Sequence, residues 1–532
     1  MPCQAVRKDG YFFMEQNLAQ TQTVTIIALA IFALLMVCIG VFSSLRTKTI
    51  DGFLLGNRSI GPWVSAFAYG TSYFSAVVFV GYAGQHGWNI GVGSIWIGIG
   101  NAVLGCLVAW MLLARRTRTM THTLSAKTMP EFFESRFNSK AMKIFAAIVI
   151  FVFLVPYSSA VYNGLGNMFQ AIFPNIGVNV WMLVIAVLTG IYLILGGYVA
   201  TAYTDFVQGI IMIVGVFAMV IALVKTDAVG GFTHFLSNLS AVPDNGDGIT
   251  GAQLTSWFGG SSLKFLCYNI MLTSFGTWGL PQMVQKYYAI KDVKSIKQAT
   301  IISTVFALII GCGAYFVGSL SRLVLGNVLP TGGVDNVIPQ TLLTAFGDAN
   351  MLTTIILAVL LILLLSASMS TLSSIVLTSS SAISVDLIPA IKKDAKEERQ
   401  VITTRVLCLV FVALSYVFAT MKISIIVYVM SFSWGIVSGT FIGPYIWGIY
   451  SKKITKVGAW AGMIAGFCTV AIPTLIISLN AGTISAAAKL SPQMGVAAMA
   501  VSLAVTPIVS LFTKKYDNSF LESVFAVQEE DK

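Results

Sequence analysis

Six hydroxyls fall within nine residues in the stretch Leu364-Leu365-Ser366-Ala367-Ser368-Met369-Ser370-Thr371-Leu372-Ser373-Ser374. The stretch follows an apolar run, 355–365, and so lies inside a membrane-spanning helix, where polar groups are costly and tend to mark a path or a site. At helical spacing Ala367, Ser370, Thr371 and Ser374 share one face. Such a face could present oxygens to a small hard cation. The same side chains have a plainer use: Ser and Thr in membrane helices bond back to the carbonyl one turn earlier, or let neighbouring helices pack closely. Close packing is usually served by fewer small residues, which favours an ion site.

A second candidate is Asp205, in Gly196-Gly197-Tyr198-Val199-Ala200-Thr201-Ala202-Tyr203-Thr204-Asp205, a carboxylate with no basic residue nearby in the sequence. At the start of a span it is either a helix-start residue favoured by the dipole or a cation ligand or relay. No catalytic constellation accompanies these groups. His86, His122 and His234 have no paired carboxylate or Cys, and the seven Cys show no disulfide or metal-ligand spacing. Gly91 and Gly93 follow no strand and precede no Lys-Ser/Thr, so they form no phosphate cradle. The chain is not expected to be an enzyme.

The elements that must position these groups are membrane helices. Of 532 residues, 56% are hydrophobic and 10% charged, whereas a soluble domain carries about 25% charge. Apolar segments at 23–44, 61–84, 90–113, 141–172, 177–196, 203–224, 262–285, 299–324, 351–383, 403–421, 424–449, 457–479 and 494–513 predict an all-α integral membrane protein with about thirteen transmembrane helices. Most of the 32 Lys and Arg fall on one side, in linkers near 46–58, 115–143, 286–297, 392–405, 452–456 and 514–532. That side is expected to be cytoplasmic, with the N-terminus outside. The net charge of +11 is then an orientation signal, and a nucleic-acid partner is excluded. Residues 1–22 lack a cleavable signal pattern. The longest stretch between spans, 225–261, is too short for a soluble domain, so function must reside in the bundle.

Two spans are interrupted. The second contains Ala68-Tyr69-Gly70-Thr71-Ser72-Tyr73-Phe74-Ser75, and the seventh Thr273-Ser274-Phe275-Gly276-Thr277-Trp278-Gly279-Leu280-Pro281. They stand five spans apart and run in opposite directions, as an inverted five-helix repeat would produce. Broken helices at matching places point to a midplane site where freed carbonyls and half-helix ends hold ions and solute. Gly and Pro are also simply commoner in membrane helices.

These residues resemble the sodium:solute symporter family over about 23–515. The resemblance is carried by Phe53-Leu54-Leu55-Gly56-Asn57-Arg58-Ser59-Ile60-Gly61-Pro62, Thr128-Met129-Pro130-Glu131-Phe132-Phe133-Glu134-Ser135-Arg136-Phe137, the Gly196 to Asp205 stretch and Met369-Ser370-Thr371-Leu372-Ser373-Ser374. It implies a 5+5 inverted-repeat core of the sodium-symporter type. The layout would be an N-terminal segment at 1–22, an additional first helix at 23–44, repeats at 61–224 and 262–449, two further helices at 457–513 and a cytoplasmic tail at 514–532. It also implies a sodium site built from main-chain oxygens of Thr71, Phe74 and Ala367 with the hydroxyls of Ser370 and Thr371. A second sodium would sit at Asp205, Ser373 and Ser374, giving two ions rather than one.

The nearest branches are the proline and pantothenate transporters. The solute pocket carried over comprises Tyr73, Ser75, Val77, Tyr157, Thr273, Thr277 and Trp278. Ser75 and Tyr157 keep the proline branch's residue types, whereas Tyr73, Val77 and Thr273 differ. With no Lys or Arg at mid-depth, the solute is expected to be neutral, zwitterionic or monoanionic, its carboxylate facing half-helix N-termini near Gly70 and Gly276. The expected activity is sodium-coupled secondary active symport of a proline-like amino acid in the cell membrane, with no obligate protein partner. Pantothenate, monocarboxylate and sialic-acid or sugar symport are alternatives within the family. A ligand sensor on the same fold is the alternative from another class.

Overall fold

The computed structural model describes residues 5–44, 49–346, 351–391 and 397–526, and among these the chain is helical, with one isolated bridge between Ile60 and Ile290. Parts of the basic linkers, at 45–48, 392–396 and 527–532, lie outside the described residues, as do residues 1–4 of the expected N-terminal segment. In chain order the main helices are α1 (Ala5–Ser44), α2 (Pro62–Tyr73), α3 (Val77–Thr123), α4 (Met129–Phe137), α5 (Lys140–Ile172) and α6 (Val178–Val224). There follow α7 (Leu263–Gly279), α8 (Pro281–Ala289), α9 (Val293–Val324), α10 (Val337–Phe346), α11 (Met351–Ser381) and α12 (Glu397–Thr420). The last three are α13 (Ile426–Tyr450), α14 (Lys456–Ala481) and α15 (Ser491–Leu511). Among the described residues ten helical stretches are long and apolar enough to cross a membrane. The other expected spans are helical but interrupted or short: α2 has 12 residues, α7 has 17, and the first part of α6 counts as the shorter apolar helix Val178–Ile191.

Three local features shape the middle of the bundle. Pro62 opens α2 at a position where a missing N–H costs nothing, and α2 ends at Phe74, which turns extended (φ −103, ψ 106). Helix resumes from Val77 with π-helical turns to Tyr82, so carbonyls at the end of α2 are released from the helical ladder. Leu280 is extended (ψ 121) because Pro281 follows it, and Pro281 then begins α8. In α6 the chain kinks at Gly197 (φ 53, ψ −145), where a Cβ would lie 2.6 Å from the Phe53 carbonyl oxygen.

The breaks fall a few residues beyond Gly70 and Gly276, near which the half-helix ends were expected. Gly70 and Gly276 lie inside regular helix. A Cβ on Gly70 would come 2.4 Å from the Phe306 ring, and one on Gly276 2.7 Å from the Trp434 ring. Both glycines serve close packing, and the geometry is broken instead at Phe74-Ser75 and at Leu280-Pro281. α11 lies along α6 and crosses α2, while α13 packs against α5, α7, α14 and α15. The hydroxyl run of α11 thereby faces the end of α2.

The segment between α9 and α11 is pinned at Asp335, whose Oδ2 accepts the Ile426 N–H at the start of α13 (3.1 Å). Burial pushes this carboxyl up to about 6, the N–H bond only partly offsetting it. Because its folded-state value is raised, Asp335 contributes stability at low pH that is lost as pH rises through about 6. Asp335→Asn keeps an oxygen for Ile426 and removes the buried charge. The expected outcome is a flatter profile of melting temperature between about pH 4 and pH 7 than in the unmodified protein, read by thermal unfolding in detergent.

Candidate cation and solute site

The end of α2 and the hydroxyl run of α11 form one oxygen cluster. Ser370 Oγ lies 3.0 Å from the Thr71 carbonyl and 2.9 Å from that of Ala367. Thr371 Oγ1 lies 3.1 Å from the Ala367 carbonyl, 3.2 Å from that of Ser72 and 3.4 Å from that of Thr71. Each hydroxyl has one proton, shared between the Ala367 carbonyl of its own helix and the Thr71 and Ser72 carbonyls at the end of α2. The set of carbonyl and hydroxyl oxygens is of the kind that binds sodium. These residues fit the ion. Thr71, Ala367, Ser370 and Thr371 are brought together as expected, and Phe74 is the first extended residue beyond α2. The Ser72 carbonyl is an addition that residue types could not reveal, since every residue carries one.

The plainer use of the hydroxyl run is observed as well. Ser368 Oγ bonds back to the Leu364 carbonyl (2.8 Å) and accepts the Ala76 N–H (3.0 Å), tying α11 to the start of α3. Ser373 Oγ turns back to the Ser370 carbonyl (3.0 Å).

Asp205 corrects two expectations. It is fully buried and does have a basic partner: Lys286 Nζ on α8 lies 3.7 Å from its Oδ2. Nζ also donates to Ser374 Oγ (3.0 Å) and stands over the Tyr198 ring, 5.0 Å from its centroid. Nor is the bundle free of internal basic side chains, because Lys286, Arg136 and Arg322 are all buried. Hydropathy places Lys286 at the flank of a span, but the break at Leu280 turns α8 back into the protein. Arg136 is held by the Gly448 and Ser451 carbonyls and Arg322 by Asp247, Asn327 and the Trp88 carbonyl, away from the oxygen cluster.

On the other side of the α2 break, aromatic rings gather around Trp434 of α13. Tyr73 stacks on it (6.2 Å between centroids) and Tyr157 meets it edge-on (5.7 Å). Tyr73 donates to the Thr273 carbonyl (2.6 Å), and Thr273 Oγ1 donates to Asn101 Oδ1 (2.8 Å). Ser75 Oγ accepts the Val77 N–H (3.2 Å), capping the resumed helix. Thr277 and Trp278 turn elsewhere, donating to the Gly105 and Leu104 carbonyls of α3 (3.3 and 3.0 Å). Tyr73, Tyr157 and Thr273 thus converge, while Thr277 and Trp278 engage α3. Trp434 and Asn101 are additions. Trp434 Nε1 and Asn101 Nδ2 are buried without a hydrogen-bond partner among the described residues, and such groups ordinarily find one.

The profile of the sodium:solute symporter family matches residues 53–466. The high-affinity proline transporter of Bacillus subtilis is 30% identical over 84% of this chain and 90% of its own. A sodium/proline symporter of Salmonella typhimurium is 28% identical over 85% and 88%. One from Staphylococcus aureus is 26% identical over 94% of both chains. Among solved structures, a Na+-coupled sialic acid symporter in a substrate-bound, outward-open state superposes with a TM-score of 0.73 at 17% identity, covering 93% of this chain and 99% of that one.

The oxygen cluster yields a direct expectation. Ser370→Ala or Thr371→Ala removes a hydroxyl that water cannot easily replace in a closed bundle, at a cost of about 1 to 3 kcal/mol. Apparent sodium affinity in a transport or binding titration should fall roughly ten-fold. Wild-type sodium dependence in the double Ala variant would show that these hydroxyls only pack helices.

Proposed function

The chain belongs to the sodium:solute symporter family, and on that premise we propose that it imports a small carboxylate-bearing solute, proline or a proline-like amino acid first, driven by inward sodium. The observation that carries this reading is the adjacency of two sites across one helix break: the oxygen cluster of Thr71, Ser72, Ala367, Ser370 and Thr371, and the aromatic group of Tyr73, Tyr157 and Trp434. An ion bound to the freed carbonyls fixes the end of α2, and Tyr73 and Ser75 flank that end. Filling one site therefore preorganises the other, which is the coupling that symport needs.

The solute chemistry follows from the unpartnered groups. Trp434 Nε1 and Asn101 Nδ2 are N–H donors, suited to a carboxylate oxygen, and the rings suit an apolar body such as a pyrrolidine. Lys286 brings no net charge, since Asp205 neutralises it. A dianion would find no compensation, which keeps the reading at neutral, zwitterionic or monoanionic solutes. The proline transporters among the relatives favour proline. Pantothenate, monocarboxylates and sialic acid remain to be compared in the same assay. The repeats at 61–224 and 262–449 would move around the site, with the basic linkers on the cytoplasmic side.

Reconstituted in vesicles, the protein should accumulate labelled proline against its gradient only when sodium is present outside. Trp434→Ala should raise the half-saturating solute concentration roughly ten-fold or more, from lost stacking and one lost donor. A dianion such as succinate as the best substrate, or unchanged affinity in Trp434→Ala, would contradict the assignment.

A further inference from the structure

The group expected to hold a second sodium does not fit one. Asp205, Ser374 and Ser72 are buried, and the Lys286 ammonium already lies between the carboxylate (3.7 Å) and Ser374 Oγ (3.0 Å). Ser373 is turned away to the Ser370 carbonyl. A sodium ion there would share a buried pocket with a lysine charge, opposed by strong repulsion and with only one carboxylate to offset both.

We propose that the Lys286 ammonium is a tethered cation that takes the place of a second sodium, so that this protein binds and moves a single sodium ion per solute. The inference rests on the symport reading above. Breaking α7 at Leu280 and restarting helix at Pro281 puts the lysine on α8, one and a half turns from the restart, where its stem reaches the cytoplasmic end of the hydroxyl run. Through Ser374 the ammonium neighbours Ser72, whose carbonyl belongs to the oxygen cluster. Ser374 Oγ lies 2.8 Å from Ser72 Oγ, and the Ser72 carbonyl lies 3.2 Å from Thr371 Oγ1. The fixed charge therefore compensates Asp205 permanently and holds α8, α11 and the end of α2 in register, a task that a mobile ion would perform only when bound.

The test is the sodium dependence of solute uptake in vesicles, together with the ratio of labelled sodium to labelled solute moved. The unmodified protein should show a sodium Hill coefficient of about 1 and a one-to-one ratio. Lys286→Met vacates the pocket beside Asp205, and its Hill coefficient should rise toward about 2. Lys286→Arg, which keeps the charge, should stay at the unmodified value. Lys286→Met/Asp205→Asn, which removes both charges, should return to it. Should Lys286→Met fail to fold, the flux ratio of the unmodified protein decides alone. Two sodium ions per solute in the unmodified protein, or a Lys286→Met variant that transports with an unchanged Hill coefficient, overturns the inference while leaving symport intact. Uptake that ignores sodium altogether overturns the symport reading and the inference with it.

Discussion

Inside a bilayer no water is available to satisfy a backbone carbonyl, so a helix can be broken there only where something else takes the freed oxygens. In this protein the break at the end of α2 is met by two hydroxyls of α11, Ser370 and Thr371, which reach the Thr71 and Ser72 carbonyls while also bonding back to Ala367 in their own helix. The Tyr73 and Trp434 stack and the Ser75 cap on the resumed helix both depend on where α2 stops.

Charge is managed by the same rule. Buried basic side chains each find oxygens: Lys286 meets Asp205, Arg322 meets the exposed Asp247, Lys143 meets Glu131, Glu134 and Asp386, and Arg136 meets the Gly448 and Ser451 carbonyls. An unpaired buried charge would be far more costly than any of these arrangements. The oxygen cluster between α2 and α11, by contrast, is made of neutral carbonyl and hydroxyl oxygens.

Much of this was legible in the chain because it is local. The hydroxyl run follows an apolar stretch, Pro281 sits in a span, and 56% hydrophobic composition leaves only a membrane bundle, so the fold class, the two broken helices and the shared face of Ala367, Ser370 and Thr371 follow from spacing, whereas the α2 carbonyls came only with the family resemblance. What was not legible is non-local. Lys286 and Asp205 are 81 positions apart, and a lysine at the edge of an apolar window looks like a flank until the break turns its helix inward. Trp434 and Asn101 stand as single residues in apolar runs and gain meaning only from Tyr73 and Thr273 beside them. The helix ends came out a few residues beyond Gly70 and Gly276 because a glycine inside a membrane helix more often admits a neighbouring ring than ends the helix.

The central claim is that one cation joins the end of α2 to the hydroxyl run of α11. Hydrogen–deuterium exchange on the purified protein, in sodium against an equal concentration of potassium and without solute, tests it most directly. Sodium is predicted to slow exchange selectively in peptides covering residues 70–77 and 366–375, where local opening must break the same contacts that hold the ion. Equal exchange in both salts across those two segments, or protection confined to other parts of the bundle, would contradict the account.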